Sequence, residues 1–421
     1  MSTTATAGRT SLRTDRTRVA ITGMGVKSPA GNDLASFWSN ILAAESKAAP
    51  WTLVDPDALP VKFGCEVKDF DPTEYLNVKE ARRQDRVAQL GFGAAVDAAK
   101  QAGELGADPA RCAVVVGTGV GGLITLETQI KLFAEKGADR VSPFLVPMMM
   151  TNATAGLVSI QFGWTGPSLC ITTACAAGTN AIGEAGRLIR EGSADVVLAG
   201  GVETAITPTA ISAFARMGAL SARNDEPTLA SRPFDAGRDG FVMGEGAAFL
   251  VLEEWDRAEA RGATILGELL GYGRNCDAHH ITAPSPGGAG AVACMTAALD
   301  DAGVDLGRVN HVNAHGTSTP LNDAAESEAI SKVFGGRTPP VTSIKGVTGH
   351  LIGAAGAVEA VAVLLSLREG KVPPVANYET PDPEIHADIV HGEARDISEG
   401  VALSNSFGFG GHNASLVLGL G

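Results

Sequence analysis

The stretch Ala98-Ala-Lys-Gln-Ala-Gly103 returns 200 positions later as Ala298-Leu-Asp-Asp-Ala-Gly303. In each place an apolar segment follows, and the two segments end in the same dipeptide, Gly117-Thr118 and Gly316-Thr317, at an offset of 199. Self-similarity at a fixed offset is the signature of a repeated architecture. The sequence therefore predicts that one unit of helix, turn and strand occurs twice.

A second pair of segments extends this repeat. Cys175-Ala-Ala-Gly178 matches Gly353-Ala-Ala-Gly356 at an offset of 178, and the same offset relates Arg190-Glu-Gly192 to Arg368-Glu-Gly370. We therefore expect two copies of one α/β unit in the chain.

Apolar runs bounded by glycine predict buried strands, and helical periodicity lies between them. The alternation of strands and helices indicates an α/β fold with largely parallel central sheets. The predicted strands are Arg18–Thr22, Cys112–Val116, Asp195–Ala199, Val309–Asn313 and Val401–Leu403.

The 421 residues, 45% of them hydrophobic, are enough for two domain-sized halves. We place these halves at residues 17–265 and 266–421, after a disordered tail at residues 1–16 that is rich in Ser, Thr and Arg. With 5% aromatic residues and 52 glycines, the interior is expected to consist of small aliphatic side chains with many close backbone approaches.

A formal charge of −14 argues against a general nucleic-acid binder, because phosphate neutralisation requires clustered Lys and Arg. The tail lacks the apolar core of a signal peptide, and no apolar run is long enough for a membrane span. A cytoplasmic protein is expected. The 6 cysteines show neither CxxC nor metal-ligand spacing, so we expect no disulfide framework and no metal site.

Corresponding loops of two pseudo-symmetric copies tend to meet in one cleft. Such a cleft would bring Gly117 and Cys175 of the first copy near His315 and His350 of the second. Cys175 stands where a turn of small residues leads into an amphipathic helical run, and the start of a helix favours thiolate and lowers the pKa of a cysteine. These residues predict a nucleophilic thiol with two imidazoles beside it.

The charged residues Lys345 and Glu359 lie in otherwise apolar, glycine-rich segments. Glu359 interrupts the most hydrophobic predicted helix, and a buried carboxylate needs a partner. This carboxylate could bond loop amides or pair with Lys345. We expect a supporting role for both side chains.

Three glycine-rich segments raise the question of a nucleotide site: Gly23–Gly25, Gly117–Gly122 and Gly408–Gly411. The second follows a strand, but the acidic residue that binds a dinucleotide ribose is missing about 20 positions later, and GxxxxGK[ST] is absent. We interpret all three as close backbone approaches, which disfavours an NAD-dependent dehydrogenase. The loop Ser404–His412 could gate a cleft and offer a backbone N–H to an oxyanion.

At these residues the sequence resembles the β-ketoacyl-acyl-carrier-protein synthases, specifically the elongating type I/II group of the thiolase superfamily, from about Arg18 to Leu420. The resemblance implies a thiolase-like fold, in which two duplicated α/β halves form α-β-α-β-α layers. The motifs that carry it are Thr173–Gly178, Ala230–Asp235, Arg238–Phe241, Val312–Thr317, Lys345–His350 and Asn405–Gly411.

The resemblance implies a decarboxylative Claisen condensation with malonyl-acyl-carrier protein. Cys175 would hold the acyl group, with its own N–H and that of Phe409 as the oxyanion hole, and His315 and His350 would stabilise the malonyl-derived enolate. No metal or redox cofactor is implied, since phosphopantetheine of the carrier brings the substrates. The implied supporting charges are Lys345 and Glu359, and the implied substrate contacts are Thr317, Thr319, Phe241, Phe409 and Val120.

Two departures from the family's pattern concern the partner and local packing. Gly218 stands where a basic residue often docks the carrier protein, and Lys345-Gly-Val-Thr-Gly-His350 replaces the usual Lys-Ser-Met-Thr-Gly-His. The chemistry is expected to be intact. Either carrier docking would use Arg216, or Lys79, Arg82 and Arg83, instead, or the cognate carrier protein is a different one.

The pathway stays open between two uses of the same chemistry. The first is a homodimeric synthase of fatty acid elongation, and the second is a ketosynthase subunit of a dissociated polyketide pathway, either alone or paired with a chain-length factor. Cys175 disfavours a catalytically silent subunit. The lack of a cysteine after Cys294 disfavours a degradative thiolase, and initiating synthases carry asparagine at the position of His350. The preferred acyl chain length is not readable.

Overall fold

The computed structural model describes residues 16–335 and 337–421. The tail expected at residues 1–16 therefore lies outside the described residues, except for Arg16. The Arg16 guanidinium lies 2.9 Å from the carboxylate of Asp301.

The helices and strands of the described residues follow one another in mixed order. The helices are α1 (Leu34–Leu42), α2 (Val78–Ala81), α3 (Arg86–Ala102), α4 (Leu123–Lys136), α5 (Leu145–Met149), α6 (Ala153–Phe162), α7 (Ala177–Arg190), α8 (Pro208–Arg216), α9 (Trp255–Ala260), α10 (Ala289–Ala302), α11 (Pro320–Val333), α12 (Lys345–Thr348) and α13 (Ala355–Glu369). The strands are β1 (Val19–Lys27), β2 (Ala49–Pro50), β3 (Phe63–Gly64), β4 (Cys112–Gly117), β5 (Ser168–Ile171), β6 (Val196–Glu203), β7 (Gly246–Glu254), β8 (Gly267–Cys276), β9 (Val309–Asn313), β10 (Pro340–Thr342), β11 (Lys371–Val372), β12 (Asp388–Ile389), β13 (Arg395–Asp396), β14 (Val401–Gly408) and β15 (His412–Gly419).

An 11-stranded sheet in the order β12-β10-β9-β14-β15-β8-β1-β7-β6-β4-β5 forms the centre of the fold. The five predicted strands are all present in it, four of them longer at the C-terminal end than predicted. The expectation of largely parallel sheets is wrong, since β7, β8 and β15 pair antiparallel with their neighbours. A buried apolar run carries no signal of strand direction, because strands covered by helices on both faces look alike in either direction.

Among the described residues, the two halves of the sheet pair through a short antiparallel contact of β1 with β8, at Ala20–Glu268 and Ile21–Gly267. Helices α7 and α13 pack between the halves and contact strands of both. Helix α3 covers the outer face of the first half, and α10 covers the outer face of the second. This arrangement confirms the expected α-β-α-β-α layers.

Equivalent glycines confirm the duplication. Gly23 and Gly25 on β1 lie against α3, where an added Cβ would come within 2.1 Å of a helix carbonyl oxygen. Gly271 and Gly273 on β8 lie against α10 in the same way, at 2.4 and 2.2 Å. The first glycine segment therefore serves close strand–helix packing, as interpreted above.

A second structural match falls on the 178-residue offset. The turns Ala174–Ala176 and Ile352–Ala354 precede α7 and α13, and their first residues have left-handed backbone with φ of 49° and 48°. Such backbone is rare for residues with a Cβ and is held only by tight surroundings. Within the described residues, none of the helices combines the length and apolarity needed to cross a bilayer.

Candidate active site

Cys175 lies in the turn between β5 and α7, one residue after the strained Ala174. The residue is only 9% exposed and belongs to an apolar cluster. The end of β14 approaches this turn so closely that a Cβ on Gly408 would lie 3.0 Å from the Cys175 nitrogen. The thiol thus sits at a helix start, as predicted, with the second half of the chain packed over it.

The expected lowering of the thiol pKa is wrong. Burial raises the pKa of Cys175 to about 11, and it outweighs the opposing effects of the Phe409 N–H and the charge of Lys345. Loss of water around a charged sulfur disfavours thiolate more than nearby dipoles favour it. The resting nucleophile is therefore a thiol.

The two predicted histidines lie beside this thiol. His350 Nε2 is 3.1 Å from Cys175 Sγ, and the rings of His315 and His350 lie edge to face with centroids 5.3 Å apart. The Cys175 sulfur and one ring nitrogen of each histidine all lie within 4.8 Å of one another. The three side chains that the pseudo-symmetry argument placed in one cleft therefore lie together in the structure.

Both imidazoles are uncharged at neutral pH. Burial lowers the pKa of His315 and of His350 well below the ordinary value, and the positive charge of Lys345 lowers both further. A neutral imidazole can donate one hydrogen bond and accept another. The cluster can thus exchange a proton with the thiol and donate to a substrate oxygen.

Lys345 and Glu359 form a buried ion pair, and each is about 1% exposed. The Lys345 Nζ also donates to the backbone oxygen of His315 at 2.5 Å. Burial raises the pKa of Glu359, although the positive charge and the hydrogen bond of Lys345 act to lower it. Of the two roles left open for Glu359, pairing with Lys345 is therefore present, and Lys345 links this pair to the loop of His315.

Glu326 holds the same loop from the other side, and the sequence analysis missed it. Its carboxylate accepts hydrogen bonds of 2.8 Å from the backbone N–H groups of His315 and Gly316. Burial raises the pKa of Glu326 to about 7. Glu326 looks like a surface position of helix α11, so the sequence offered no signal for it.

The residues expected to contact substrate lie around the imidazoles. Thr317 and Thr319 bond to each other through their hydroxyls at 2.9 Å, two and four residues beyond His315. Phe241 is buried and packs edge to face on His350. Phe407, which the sequence analysis did not single out, packs on His315 in the same manner, with centroids 6.2 Å apart.

Phe409 begins a turn between β14 and β15, and its backbone N–H bonds the Cys175 sulfur. Gly410, with φ of 82°, donates its N–H to the Ile281 oxygen at 2.7 Å. The left-handed backbone requires a glycine there. This turn therefore places a main-chain donor at the thiol, where the sequence predicted one.

Val120 lies in the loop after β4 and is 45% exposed on the single chain. The backbone of this loop bonds to Glu203, a buried carboxylate at the end of β6 that the sequence analysis missed. The sequence did contain a signal for Glu203, because a charged residue at the end of an apolar strand indicates a buried carboxylate. Gly117 in the same segment lies against α7, where a Cβ would be 2.2 Å from the Ala177 oxygen.

The basic residues considered for carrier docking are exposed. Gly218 has φ of 68° just after helix α8, which explains a glycine at this position. Arg83 stacks over Phe144 at 4.7 Å from the ring centroid. The exposed side chains are Arg216, Lys79, Arg82 and Arg83.

Comparison with known protein families agrees with this site. Residues 16–258 match the model of the β-ketoacyl synthase N-terminal domain, and residues 266–379 match that of the C-terminal domain. A 3-oxoacyl-[acyl-carrier-protein] synthase 2 of Synechocystis sp. is 48% identical over 96% of this chain and 98% of its own length. The Staphylococcus aureus protein of the same name is 47% identical over 95% of this chain and 97% of its own length.

Solved structures with the same fold include two ketosynthases. The ishigamide ketosynthase/chain length factor has a TM-score of 0.90 at 34% identity, over 96% of this chain and all of that chain. A type II polyketide synthase acyl-carrier protein in complex with its ketosynthase gives a TM-score of 0.88 at 31% identity, over 97% of this chain and 100% of that chain. With both family models matched and a buried thiol beside two imidazoles, the chain belongs to the β-ketoacyl synthase family.

Proposed function

We propose that this condensing acyltransferase joins an acyl group carried on Cys175 to a malonyl unit carried on an acyl carrier protein, in fatty acid elongation. The observation that carries the proposal is the buried cluster of one thiol and two neutral imidazoles within 4.8 Å. The names of the relatives at 47 and 48% identity support the pathway.

In the first half-reaction the thiol gives its proton to His350 Nε2, 3.1 Å away, and the sulfur attacks the carbonyl carbon of the incoming thioester. A carbon–sulfur bond to Cys175 forms, and the bond to the pantetheine sulfur breaks. The departing thiolate takes the proton. The N–H groups of Cys175 and Phe409 are the donors for the negative oxygen that develops in between.

In the second half-reaction the malonyl thioester loses CO₂, and the electron pair of the broken carbon–carbon bond forms an enolate. His315 and His350 donate hydrogen bonds to the enolate oxygen, which lowers the barrier. The carbanion attacks the carbonyl carbon of the Cys175 thioester, a new carbon–carbon bond forms, and the carbon–sulfur bond to Cys175 breaks. The sulfur leaves as a thiolate and takes a proton from water, which regenerates the thiol. Thr317 and Thr319 would hold the pantetheine arm. This sequence needs no resident metal or redox cofactor.

The test follows each half-reaction separately. The protein is incubated with an acyl-carrier-protein thioester and the acylated peptide is mapped by mass spectrometry, while release of labelled CO₂ from malonyl-carrier protein reports decarboxylation. Cys175 is expected to be acylated. His315→Ala should still be acylated, and His350→Ala should be acylated more slowly, because water must then take the thiol proton. Both variants should lose decarboxylation, and Cys170→Ala should behave like the unchanged protein. Acyl label on another cysteine would refute the assignment of the nucleophile.

A homodimer is the proposed assembly, because β5 is an edge strand of the large sheet and carries an exposed apolar side chain, Leu169. An edge strand presents unpaired backbone N–H and C=O groups with which another chain can pair. Three further apolar side chains, at Ile130 and Phe133 on α4 and at Ile160 on α6, are 58, 54 and 77% exposed on the single chain. Sedimentation should show a dimer that Leu169→Lys dissociates and Leu306→Lys does not.

Pairing with a chain-length factor is the alternative assembly, and the ishigamide ketosynthase/chain length factor structure is the observation that favours it. Its 34% identity is below the 48% of the 3-oxoacyl synthase relative. Condensation assays with and without a candidate partner subunit decide between them. Activity of the chain alone supports the fatty acid pathway, and activity only with the partner supports the alternative.

Carrier docking is proposed for the basic surface at the C-terminal end of α2, formed by Lys79 on the helix and by Arg82 and Arg83 just after it. Charge reversal at Arg82 and Arg83 should raise KM for the carrier-bound donor while kcat stays the same, since rim charges act on encounter. Reversal of Arg216 tests the other candidate position.

A further inference from the structure

Glu203 lies at the end of β6 with no exposed surface. Its Oε2 accepts hydrogen bonds from the N–H of Gly119 at 2.6 Å and of Gly353 at 3.2 Å. Its Oε1 accepts from the Thr118 hydroxyl at 3.1 Å and from the Val120 N–H at 3.3 Å. One carboxylate therefore receives four donors from two separate loops.

These two loops flank the nucleophile from opposite halves of the chain. Residues 118–120 follow β4, and Gly353 lies three residues after His350, at the repeat position equivalent to Cys175. A Cβ on Gly119 or on Gly353 would lie 2.6 or 2.7 Å from the Glu203 carboxylate. Both positions thus need glycine because the carboxylate occupies the space between the loops.

The hydrogen bonds of Glu203 to the two loops hold Ile352 in place. It has a β-branched side chain on left-handed backbone, with φ of 48°, and such backbone persists only where the surroundings fix it. The bond from Gly353 to Glu203 is one of these constraints. The Ile352 side chain packs in the same apolar cluster as Cys175 and Phe241.

We propose that Glu203 is a positioning residue for the acyl chain, which fixes Ile352 and the Val120 loop on the apolar side of Cys175. This inference rests on the proposed function, since the apolar cluster is where an acyl group on the sulfur would lie. Glu203 touches neither substrate nor the reacting sulfur. It acts through the two loops.

The charge of Glu203 gives this role a second, independent readout. Burial raises the pKa of Glu203 to about 7 against the effect of its four donors, so the carboxylate is charged above that pH. Its negative charge in turn raises the pKa of the Cys175 thiol. Removing the charge should lower the thiol pKa, and Thr118→Val, which loosens the same loop but keeps the charge, separates this effect from a change in packing.

Glu203→Gln is the central variant. Its amide oxygen can still serve Gly119 and Gly353, and its NH₂ group can donate to the Thr118 hydroxyl, but the Val120 N–H loses its acceptor. A lost bond to a charged acceptor corresponds to a roughly ten- to hundredfold shift toward the released loop. We expect kcat/KM to fall for long acyl donors by about that factor and to stay within about twofold for short donors.

Three further variants complete the design. Thr118→Val removes one hydrogen-bond donor to Glu203 but keeps the carboxylate charge. It should lower the ratio of kcat/KM for long acyl donors to kcat/KM for short ones, as Glu203→Gln does. Glu203→Asp is too short to reach both loops and should shift it further. Glu253→Gln is the matched control, because Glu253 is equally buried but pairs with Arg257 and Arg261 away from the site. It should leave the ratio unchanged.

The measurements are kcat/KM for acyl donors of short and long chain, the pH profile of Cys175 alkylation, and circular dichroism of each variant. The inference is supported if Glu203→Gln lowers the ratio of kcat/KM for long donors to kcat/KM for short donors and also moves the alkylation profile of Cys175 to lower pH. An unchanged ratio in folded Glu203→Gln and Thr118→Val overturns it, whatever Glu203→Asp does. Absence of Cys175 acylation in the unchanged protein would instead refute the proposed function.

Discussion

Replacing Glu359 with leucine would leave the ammonium group of Lys345 buried without its carboxylate. Both side chains are about 1% exposed, so water cannot replace the lost partner. Removal of one member of a buried ion pair costs roughly 3–5 kcal/mol of unfolding free energy, because the remaining charge is uncompensated. Glu359→Leu and Lys345→Met should each be destabilised by about that amount.

The double variant separates this cost from the role of Lys345 at the site. With neither charge buried, the pair itself costs little, and the main loss is the hydrogen bond to the His315 oxygen, worth about 1–3 kcal/mol when a buried acceptor is left alone. The double variant should therefore be more stable than either single variant. It should still lose malonyl decarboxylation, because the His315 loop is no longer held.

Urea unfolding of the four proteins, followed by fluorescence, measures the coupling, and labelled CO₂ release measures the function. Additive single effects, with a double variant destabilised by roughly 6–10 kcal/mol, would refute the reasoning about the buried pair. Normal decarboxylation in the folded double variant would refute the link between Lys345 and His315.

Three other expectations concern the pH dependence and the packing of the fold. The alkylation rate of Cys175 should rise about tenfold per pH unit from pH 7 to 9, since its pKa is about 11, and a plateau below pH 8 would contradict this. Burial lowers the pKa of His311 to about 3 in the folded chain, against an ordinary value of 6.5. Between these pH values the unfolded chain binds a proton that the folded chain does not, so the free energy of unfolding decreases as the pH is lowered. The stability difference between the unchanged protein and His311→Leu should therefore change by about 1.4 kcal/mol per pH unit from pH 6 to 4, whereas a constant difference would disprove the burial argument. Gly25→Ala and Gly273→Ala should each lower the free energy of unfolding by about 1–3 kcal/mol or more, because the added methyl group clashes with α3 or α10. Gly156→Ala is the control, since there is open space around that position. Equal stability of the three variants in chemical unfolding would contradict the packing argument.

The sequence repeat was sufficient to predict the duplicated fold and the meeting of Cys175 with His315 and His350. The reason is that each matched segment is local, and the pseudo-symmetry of two copies supplies the long-range geometry. The antiparallel strands β7, β8 and β15 were not predictable in this way. Their apolar runs look like those of parallel strands, because helices cover both faces in either case.

The site charges show the same limit. Lys345 and Glu359 stood out because they interrupt apolar segments, whereas Glu326 lies on a helix whose sequence resembles a surface helix. The pKa of Cys175 was predicted in the wrong direction, since the local pattern contains the helix start but not the burial. That burial comes from β14 and from Phe241, which are remote in the chain.

The neutral resting state of the site fits the proposed chemistry. An imidazolium at rest would pair with the malonyl carboxylate and stabilise the ground state, which slows loss of CO₂. In the low-dielectric site the thiol and both imidazoles rest uncharged. Charge then arises only during reaction, on the sulfur as its proton passes to His350 and on the enolate oxygen beside the two imidazoles. Because the Phe409 N–H and both imidazole rings are already in place for that charge, burial favours the transition states over the resting state.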